Sequence, residues 1–249
     1  MKNPVKITTD WAFAIGWTFG CSFLTTTPLI VSPGGEISQW VVRKIWVPGL
    51  LRYFGVEVIA HGQENLPSAG TPCLLMPHHQ SWFDILAIFA TNPLNLRFVA
   101  KESLFKVPFF GTYLRLAGYI PIDRSNHEKA VASLDRAAER IRAGTPIVIF
   151  PEGTVSPDGE VGPFKKGPFM LALKAGVPII PVAITGSRAV LTKGDLELRP
   201  GTIRLRYCEP LDISGYGLGD RDRLMSQIRE ILVREKARLE SPTGREERG

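Results

Sequence analysis

Short apolar runs alternate with segments of helical periodicity along most of the chain, from Gly55 onward. Several of these runs are continuously apolar, as expected for strands that are covered on both faces. The strand-like runs are residues 56–60, 72–76, 96–100, 118–122, 146–150, 178–184 and 202–208. Helical periodicity is found in residues 84–91, 127–144, 169–176 and 220–239. The alternation predicts an α/β fold with a largely parallel central sheet flanked by helices.

The N-terminal part follows a different pattern, because no charged residue lies between Asp10 and Glu36. Four of the five tryptophans lie in the same part of the chain: Trp11, Trp17, Trp40 and Trp46. An amphipathic indole ring is stabilised at a membrane–water boundary, so we expect residues 1–54 to be a membrane-associating helical segment. A buried core helix is the alternative interpretation.

The pattern leaves the mode of membrane association open. Residues 11–31 are just long enough to cross a hydrocarbon core of about 30 Å, but polar residues dilute the run, and Pro28 is expected to break the helix near its end. Residues 37–51 mix apolar residues with Arg43 and Lys44, which is typical of a helix that lies on anionic lipid. Spanning, hairpin and interfacial arrangements all remain compatible with the sequence.

Charge and cysteine content narrow the possible partners of the predicted α/β domain, residues 55–240. The net charge of +6 favours an anionic lipid or a phosphorylated substrate. No long lysine/arginine run and no zinc-finger or RNA-recognition signature is present, so nucleic acid is not an expected partner. The three cysteines are scattered and lack C-x-x-C spacing, which argues against a disulfide framework and a metal site. Residues 241–249 are expected to form a disordered polar tail.

The octapeptide PHHQSWFD, residues 77–84, is the candidate site. In a purely structural interpretation, Ser81 is the N-cap of a helix and Asp84 is its third residue, as in a capping box. In a catalytic interpretation, His79 lies in the preceding loop and donates its Nδ1–H to Asp84, which leaves Nε2 free as a general base. The chain has no G-x-S-x-G motif and no recognisable catalytic cysteine, so a substrate hydroxyl would attack directly.

Four motifs in order resemble those of the glycerolipid acyltransferase superfamily, in particular the 1-acyl-glycerol-3-phosphate acyltransferases. They are H-x4-D from His79 to Asp84, GYIPIDR (118–124), FPEGT (150–154) and VPIIPVAI (177–184). The resemblance covers roughly residues 55–210. It implies acyl transfer from a coenzyme A or acyl-carrier-protein thioester to the sn-2 hydroxyl of 1-acyl-glycerol-3-phosphate, which gives phosphatidic acid. His79 is then the general base and Asp84 its orienting partner.

The resemblance also implies a set of substrate-binding residues. Arg124 is expected to hold the acceptor phosphate, since a guanidinium suits a phosphate monoester. Glu152, Gly153 and Thr154 follow a strand, where α/β sheets usually bind ligands. Glu152 is expected to orient Arg124 or a glycerol hydroxyl. Many family members have an arginine where this chain has Val155, and Lys101 and Lys165 are candidates for the missing charge.

Other functions remain open on the sequence alone. An acyltransferase for glycerol 3-phosphate or another lysolipid would share these motifs. A catalytically silent membrane lipid-binding protein would have lost His79 or Asp84, and a membrane-associated hydrolase would need a metal or a nucleophile. No cofactor is expected, because the acyl thioester is a substrate. The expected location is a membrane, with the site on the cytoplasmic face of a bacterial inner membrane.

Overall fold

A seven-stranded sheet forms the centre of the protein. The computed structural model describes residues 3–31, 35–123 and 127–241. The strands are β1 (Val56–His61), β2 (Leu74–Pro77), β3 (Arg97–Lys101), β4 (Ile120–Ile122), β5 (Ile147–Val148), β6 (Ile179–Thr185) and β7 (Gly201–Tyr207). Their order across the sheet is β1-β7-β6-β2-β5-β3-β4. Strands β2 to β6 run parallel to one another, whereas β7 is antiparallel to β6 and parallel to β1. The predicted fold class is confirmed.

Each of the seven strand-like runs overlaps one strand of the sheet. The largest difference is at β5, which covers only Ile147–Val148 of the predicted residues 146–150. The chain leaves the sheet there to form a turn at Pro151 and Glu152. An apolar run therefore continues past the last sheet hydrogen bond, which periodicity alone does not reveal.

Helices cover both faces of the sheet. They are α1 (Pro4–Val31), α2 (Glu36–Val41), α3 (Val47–Tyr53), α4 (Phe83–Thr91), α5 (Phe110–Leu116), α6 (His127–Arg142), α7 (Lys166–Ala175), α8 (Ser187–Val190) and α9 (Arg221–Glu240). The four helices predicted after Gly55 correspond to α4, α6, α7 and α9. The sequence pattern did not predict α5 and α8, which are too short to show a clear helical period.

The N-terminal helices are longer and more continuous than expected. Helix α1 runs through Pro28 to Val31, so the predicted break at this proline is wrong. Near the end of a helix a proline removes only one backbone hydrogen bond, and the helix tolerates that loss. A π-helical turn, Val42–Trp46, joins α2 to α3. None of the helices in the described residues is both long enough and apolar enough to cross a membrane.

Helices α1 and α2 bury several polar side chains and expose several large apolar ones, unlike a typical water-exposed helix. Polar side chains are buried between the helices, where Ser38 Oγ donates to the Thr25 carbonyl at 2.7 Å. Large apolar side chains are instead at least one-third exposed. We call them the apolar face: Ile15, Phe19, Phe23, Leu24, Ile37 and Trp40. The other three N-terminal tryptophans are half-buried, and the Trp17 Nε1–H donates to the Trp46 carbonyl at 3.0 Å.

Candidate active site

The parallel strands bring the predicted site residues to one edge of the sheet. His79 follows β2, Lys101 ends β3, and Glu152 follows β5. Because these strands run in the same direction, their carboxyl ends lie side by side. Arg124, two residues after the end of β4, lies outside the described residues, and its predicted role stays a prediction.

His79 and Asp84 form the predicted pair. His79 Nδ1 lies 2.8 Å from Asp84 Oδ2. The same oxygen accepts the backbone N–H groups of Gln80 at 2.7 Å and Ser81 at 2.9 Å. Because Oδ2 acts as an acceptor for all three, Nδ1 carries the proton and Nε2 has a free lone pair. The arrangement is that of a base whose tautomer is set by a carboxylate.

The helix start differs from the predicted capping box. Helix α4 begins at Phe83, and Trp82 precedes it. The Asp84 side chain accepts the Ser81 N–H as the box requires, but Ser81 Oγ donates to the Leu191 carbonyl at 2.8 Å. That hydroxyl accepts the Phe83 N–H at 3.3 Å rather than the Asp84 N–H. Half of the box is present, and a tertiary contact replaces the other half.

The turn after β5 holds the main chain of His79 from both sides. Glu152 Oε2 accepts the His79 N–H at 2.8 Å, and the Ser156 N–H donates to the His79 carbonyl at 2.7 Å. The other Glu152 oxygen accepts the Gly162 N–H at 3.0 Å. Glu152 therefore holds the backbone of the segments around His79, which the sequence did not suggest. Burial raises the pKa of the Glu152 carboxyl to about 7.

Aromatic rings enclose the His79 imidazole, which is 8% exposed. The Phe150 ring stacks on it with the centroids 3.8 Å apart, and the edge of Trp82 approaches at 6.5 Å. His78, the sequence neighbour of His79, is fully buried. Its Nδ1 accepts the Ile184 N–H at 3.4 Å, and burial lowers the pKa of His78 to about 4. The twin histidines thus have different environments.

The remaining predicted residues lie around the turn after β5. Gly153 has a φ of +71°, which favours glycine, and a Cβ there would lie 3.3 Å from Lys165 Cγ. The stem of Lys165 therefore runs along this turn. Thr154 is exposed, and its Oγ1 accepts from Lys193 Nζ at 3.3 Å. Lys193 was not predicted, because a lysine 39 residues away in sequence carries no recognisable signal.

An apolar cavity of about 450 Å³ lies beside the pair, beneath the N-terminal helices. Side chains from α1, the π-helical turn, α3, α4 and α5 line it. Trp82, whose edge faces His79, is part of its wall, and so is Phe98, which stacks with Phe150 at 6.3 Å. The cavity wall therefore continues to the imidazole. No single sequence segment reveals it, because its walls come from distant elements.

Comparisons with known proteins all match acyltransferases. The family model described as Acyltransferase matches residues 57–185. A Limnanthes alba protein named 1-acyl-sn-glycerol-3-phosphate acyltransferase is 31% identical over 77% of this chain and 67% of its own length. A chloroplastic Brassica napus protein of the same name, BAT2, is 34% identical over 63% of this chain and 47% of its own length. This chain thus spans about half the length of some curated relatives that it matches.

A solved structure extends the likeness to almost the whole chain. The 1-acyl-sn-glycerophosphate acyltransferase PlsC from Thermotoga maritima aligns with a TM-score of 0.81 and 28% sequence identity. The alignment covers 96% of each chain, and therefore includes the N-terminal helices as well as the sheet.

Proposed function

Because the chain belongs to the acyltransferase family, we propose that it transfers a fatty acyl group from a thioester to the sn-2 hydroxyl of 1-acyl-glycerol-3-phosphate. The product is phosphatidic acid. The observation that carries the proposal is the 2.8 Å pair of His79 Nδ1 and Asp84 Oδ2 beside an apolar cavity. The names of the relatives support the choice of acceptor.

The chemistry follows from the free lone pair on His79 Nε2. This nitrogen removes the proton of the acceptor hydroxyl as the hydroxyl oxygen attacks the thioester carbonyl carbon. The tetrahedral intermediate collapses by breaking the carbon–sulfur bond and expels a thiolate. The imidazolium returns its proton to the thiolate, so that an ester and a thiol leave and His79 is neutral again. Asp84 holds the ring and stabilises the imidazolium.

The cavity is the proposed site for an acyl chain. Its lining is dominated by aromatic and aliphatic side chains, and each methylene group that leaves water for such a site contributes about 0.8 kcal/mol. The cavity wall reaches His79 through Trp82, so a chain held there has its reactive end near the base.

Membrane association is proposed for the apolar face of α1 and α2. Ile37 and Trp40 are each 53% exposed, and Phe23 is 64% exposed, while Ser22 and Thr25 are buried. Burial of polar residues with exposure of large apolar ones suits a helix pair whose outer surface contacts lipid. The proposed location is the cytoplasmic face of a bacterial inner membrane, because the thioester donor is made in the cytosol. Coenzyme A and acyl-carrier protein are both proposed as carriers of the acyl group.

A purified-enzyme assay tests the proposal. Labelled acyl-coenzyme A and acyl-carrier protein are each supplied with 1-acyl-glycerol-3-phosphate, glycerol 3-phosphate, another lysophospholipid or 1-acylglycerol. We expect 1-acyl-glycerol-3-phosphate to have the highest kcat/KM. We also expect His79→Ala to lower kcat about 10²- to 10⁴-fold, because the general base is lost. Preference for another acceptor contradicts the substrate assignment, and an active His79→Ala variant contradicts the mechanism.

A further inference from the structure

We propose that Lys193 and Thr154 together bind a phosphate group of a substrate at the rim of the active site. Lys193 supplies the positive charge and Thr154 a hydroxyl donor. The inference rests on the proposed function, since it concerns the substrates of that reaction. It adds a specificity residue that lies outside all four sequence motifs.

The contacts of Lys193 place its ammonium group against the turn after β5. Nζ donates to the Val155 carbonyl at 2.7 Å and to Thr154 Oγ1 at 3.3 Å. The loop that carries Lys193 also contacts the segment between β2 and α4, because Ser81 Oγ donates to the Leu191 carbonyl. Lys193 is therefore two residues from a residue that contacts the segment containing His79.

The hydrogen bonds between these residues leave one donor unused on each side chain. An ammonium group has three N–H donors, and the two contacts of Lys193 use two of them. Because Thr154 Oγ1 accepts from Lys193, the hydroxyl proton of Thr154 points elsewhere and is free to donate. Both side chains are exposed, so one N–H and one O–H are available to the same ligand. Oxygen atoms of a phosphate group accept such donors well.

The charge of Lys193 is available to an anion. Within residues 3–31, 35–123 and 127–241, no carboxylate lies within ion-pair distance of its Nζ. Val155 itself brings no charge to the turn, since its side chain is uncharged and only 7% exposed. Lys193 is thus a cation in direct contact with Thr154 and Val155. A phosphate monoester, with a charge of about −1.5 to −2 at neutral pH, fits this pair.

The alternative is a purely structural role, in which Lys193 connects two loops and binds no substrate. The variant Lys193→Gln separates the two roles, because glutamine keeps an N–H donor for the Val155 carbonyl but has no charge. Lys193→Arg restores the charge. Lys174→Gln is the matched control, since it removes the same charge at the far end of α7, where Lys174 pairs with Asp135.

The phosphate has two possible sources, the acceptor and the coenzyme A donor, and the assay distinguishes them. Each variant is assayed with 1-acyl-glycerol-3-phosphate against phosphate-free 1-acylglycerol, and with acyl-coenzyme A against the phosphate-free acyl-pantetheine. We expect Lys193→Gln to raise KM about 10- to 100-fold for one phosphate-bearing substrate. The matching phosphate-free substrate should change less than about 3-fold. Lys193→Arg and Lys174→Gln should resemble wild type.

A binding measurement makes the test independent of turnover. Thermal unfolding is followed with glycerol 3-phosphate or coenzyme A as the probe, and with glycerol or pantetheine as the control. One phosphate-bearing probe should raise the Tm of wild type more than that of Lys193→Gln. Equal losses with phosphate-bearing and phosphate-free substrates, or equal stabilisation of both proteins by the probes, would overturn the inference. If wild type acylates none of the acceptors, the proposed function fails while this measurement still decides on Lys193.

Discussion

The catalytic edge and the cavity wall are held together by different forces. We use catalytic edge for residues 79–84 and 150–156. There, directional hydrogen bonds hold the main chain and the carboxylate around the imidazole: Asp84 Oδ2 accepts three donors, and both the N–H and the carbonyl of His79 have partners. The cavity wall is held mainly by packing, as where the rings of Phe54 and Phe83 meet edge to face with their centroids 5.8 Å apart. The catalytic edge therefore depends on the position of individual atoms, whereas the cavity wall depends on the volume that its side chains fill.

This difference predicts how each region responds to change. A substitution at the edge that moves or removes one atom should abolish function with little change in shape. A substitution in the wall should retune which chain fits while leaving the chemistry intact.

The largest effect is expected at the edge, for Asp84→Asn. An amide keeps the volume of the carboxylate but puts an NH₂ group or a weaker acceptor opposite His79 Nδ1, so the tautomer is no longer set. We expect kcat to fall about 10²- to 10⁴-fold with little change in KM. Steady-state kinetics measure both constants. Asp222→Asn, an exposed change on α9, is the control, and a kcat near that of wild type for Asp84→Asn would remove the basis of the comparison.

A smaller and selective effect is expected in the wall, for Ala14→Phe. Ala14 lines the cavity, and a phenyl ring there takes up space that an acyl chain would fill. Excluding about three methylene groups costs about 2.4 kcal/mol, a fall in kcat/KM of about 60-fold for long acyl donors. Short donors should react as before. Ala12→Phe, an exposed position on the same helix, is the control, and equal losses for all chain lengths would count against an acyl-binding cavity.

Beyond the cavity, the outer surface of the N-terminal helices should affect location rather than chemistry. The double variant Ile37→Ser, Trp40→Ser removes two exposed apolar side chains. We expect at least about 10-fold weaker partitioning into anionic vesicles, measured by sedimentation. Activity in detergent micelles should be unchanged. Leu218→Ser changes an equally exposed residue before α9, and the same loss there would show that the effect is not specific to the apolar face.

The smallest effect on turnover is expected for His78→Asn, next to the base itself. Burial, opposed by Asp84, lowers the pKa of His78 to about 4, whereas the unfolded chain has a value near 6.5. As pH falls, the unfolded state therefore takes up a proton at His78 before the folded state does. The contribution of neutral, buried His78 to the free energy of unfolding is fully present above about pH 6.5 and is lost as pH falls toward 4. The loss amounts to at most about 3 kcal/mol.

Chemical denaturation at several pH values measures this loss. His78→Asn should show a smaller fall in unfolding free energy between pH 6.5 and 4 than wild type, with near-normal kcat at neutral pH. An unchanged acid sensitivity would mean that another group controls it.

Local chemistry could be predicted from the sequence, and long-range assembly could not. The pairing of His79 with Asp84 followed from five residues of sequence and a helix start nearby. The second bond of Ser81 goes to Leu191, 110 residues away, so the capping box was only half right. Glu152 was expected to orient Arg124 or a glycerol hydroxyl, and the sequence did not suggest that it also accepts N–H groups from His79 and Gly162, which are close to it only after folding. Tertiary contacts decided each of these differences.

The order of the strands in the sheet affects how the chain folds. At one edge of the sheet, Glu57 of β1 is in register with Thr202 of β7, 145 residues further along the chain. Strand β1 therefore has no partner until nearly all of the sheet has been synthesised. Contacts of such large sequence separation slow folding. During that delay an unpaired strand edge lies next to helices with an apolar outer surface, which makes the growing chain prone to aggregation.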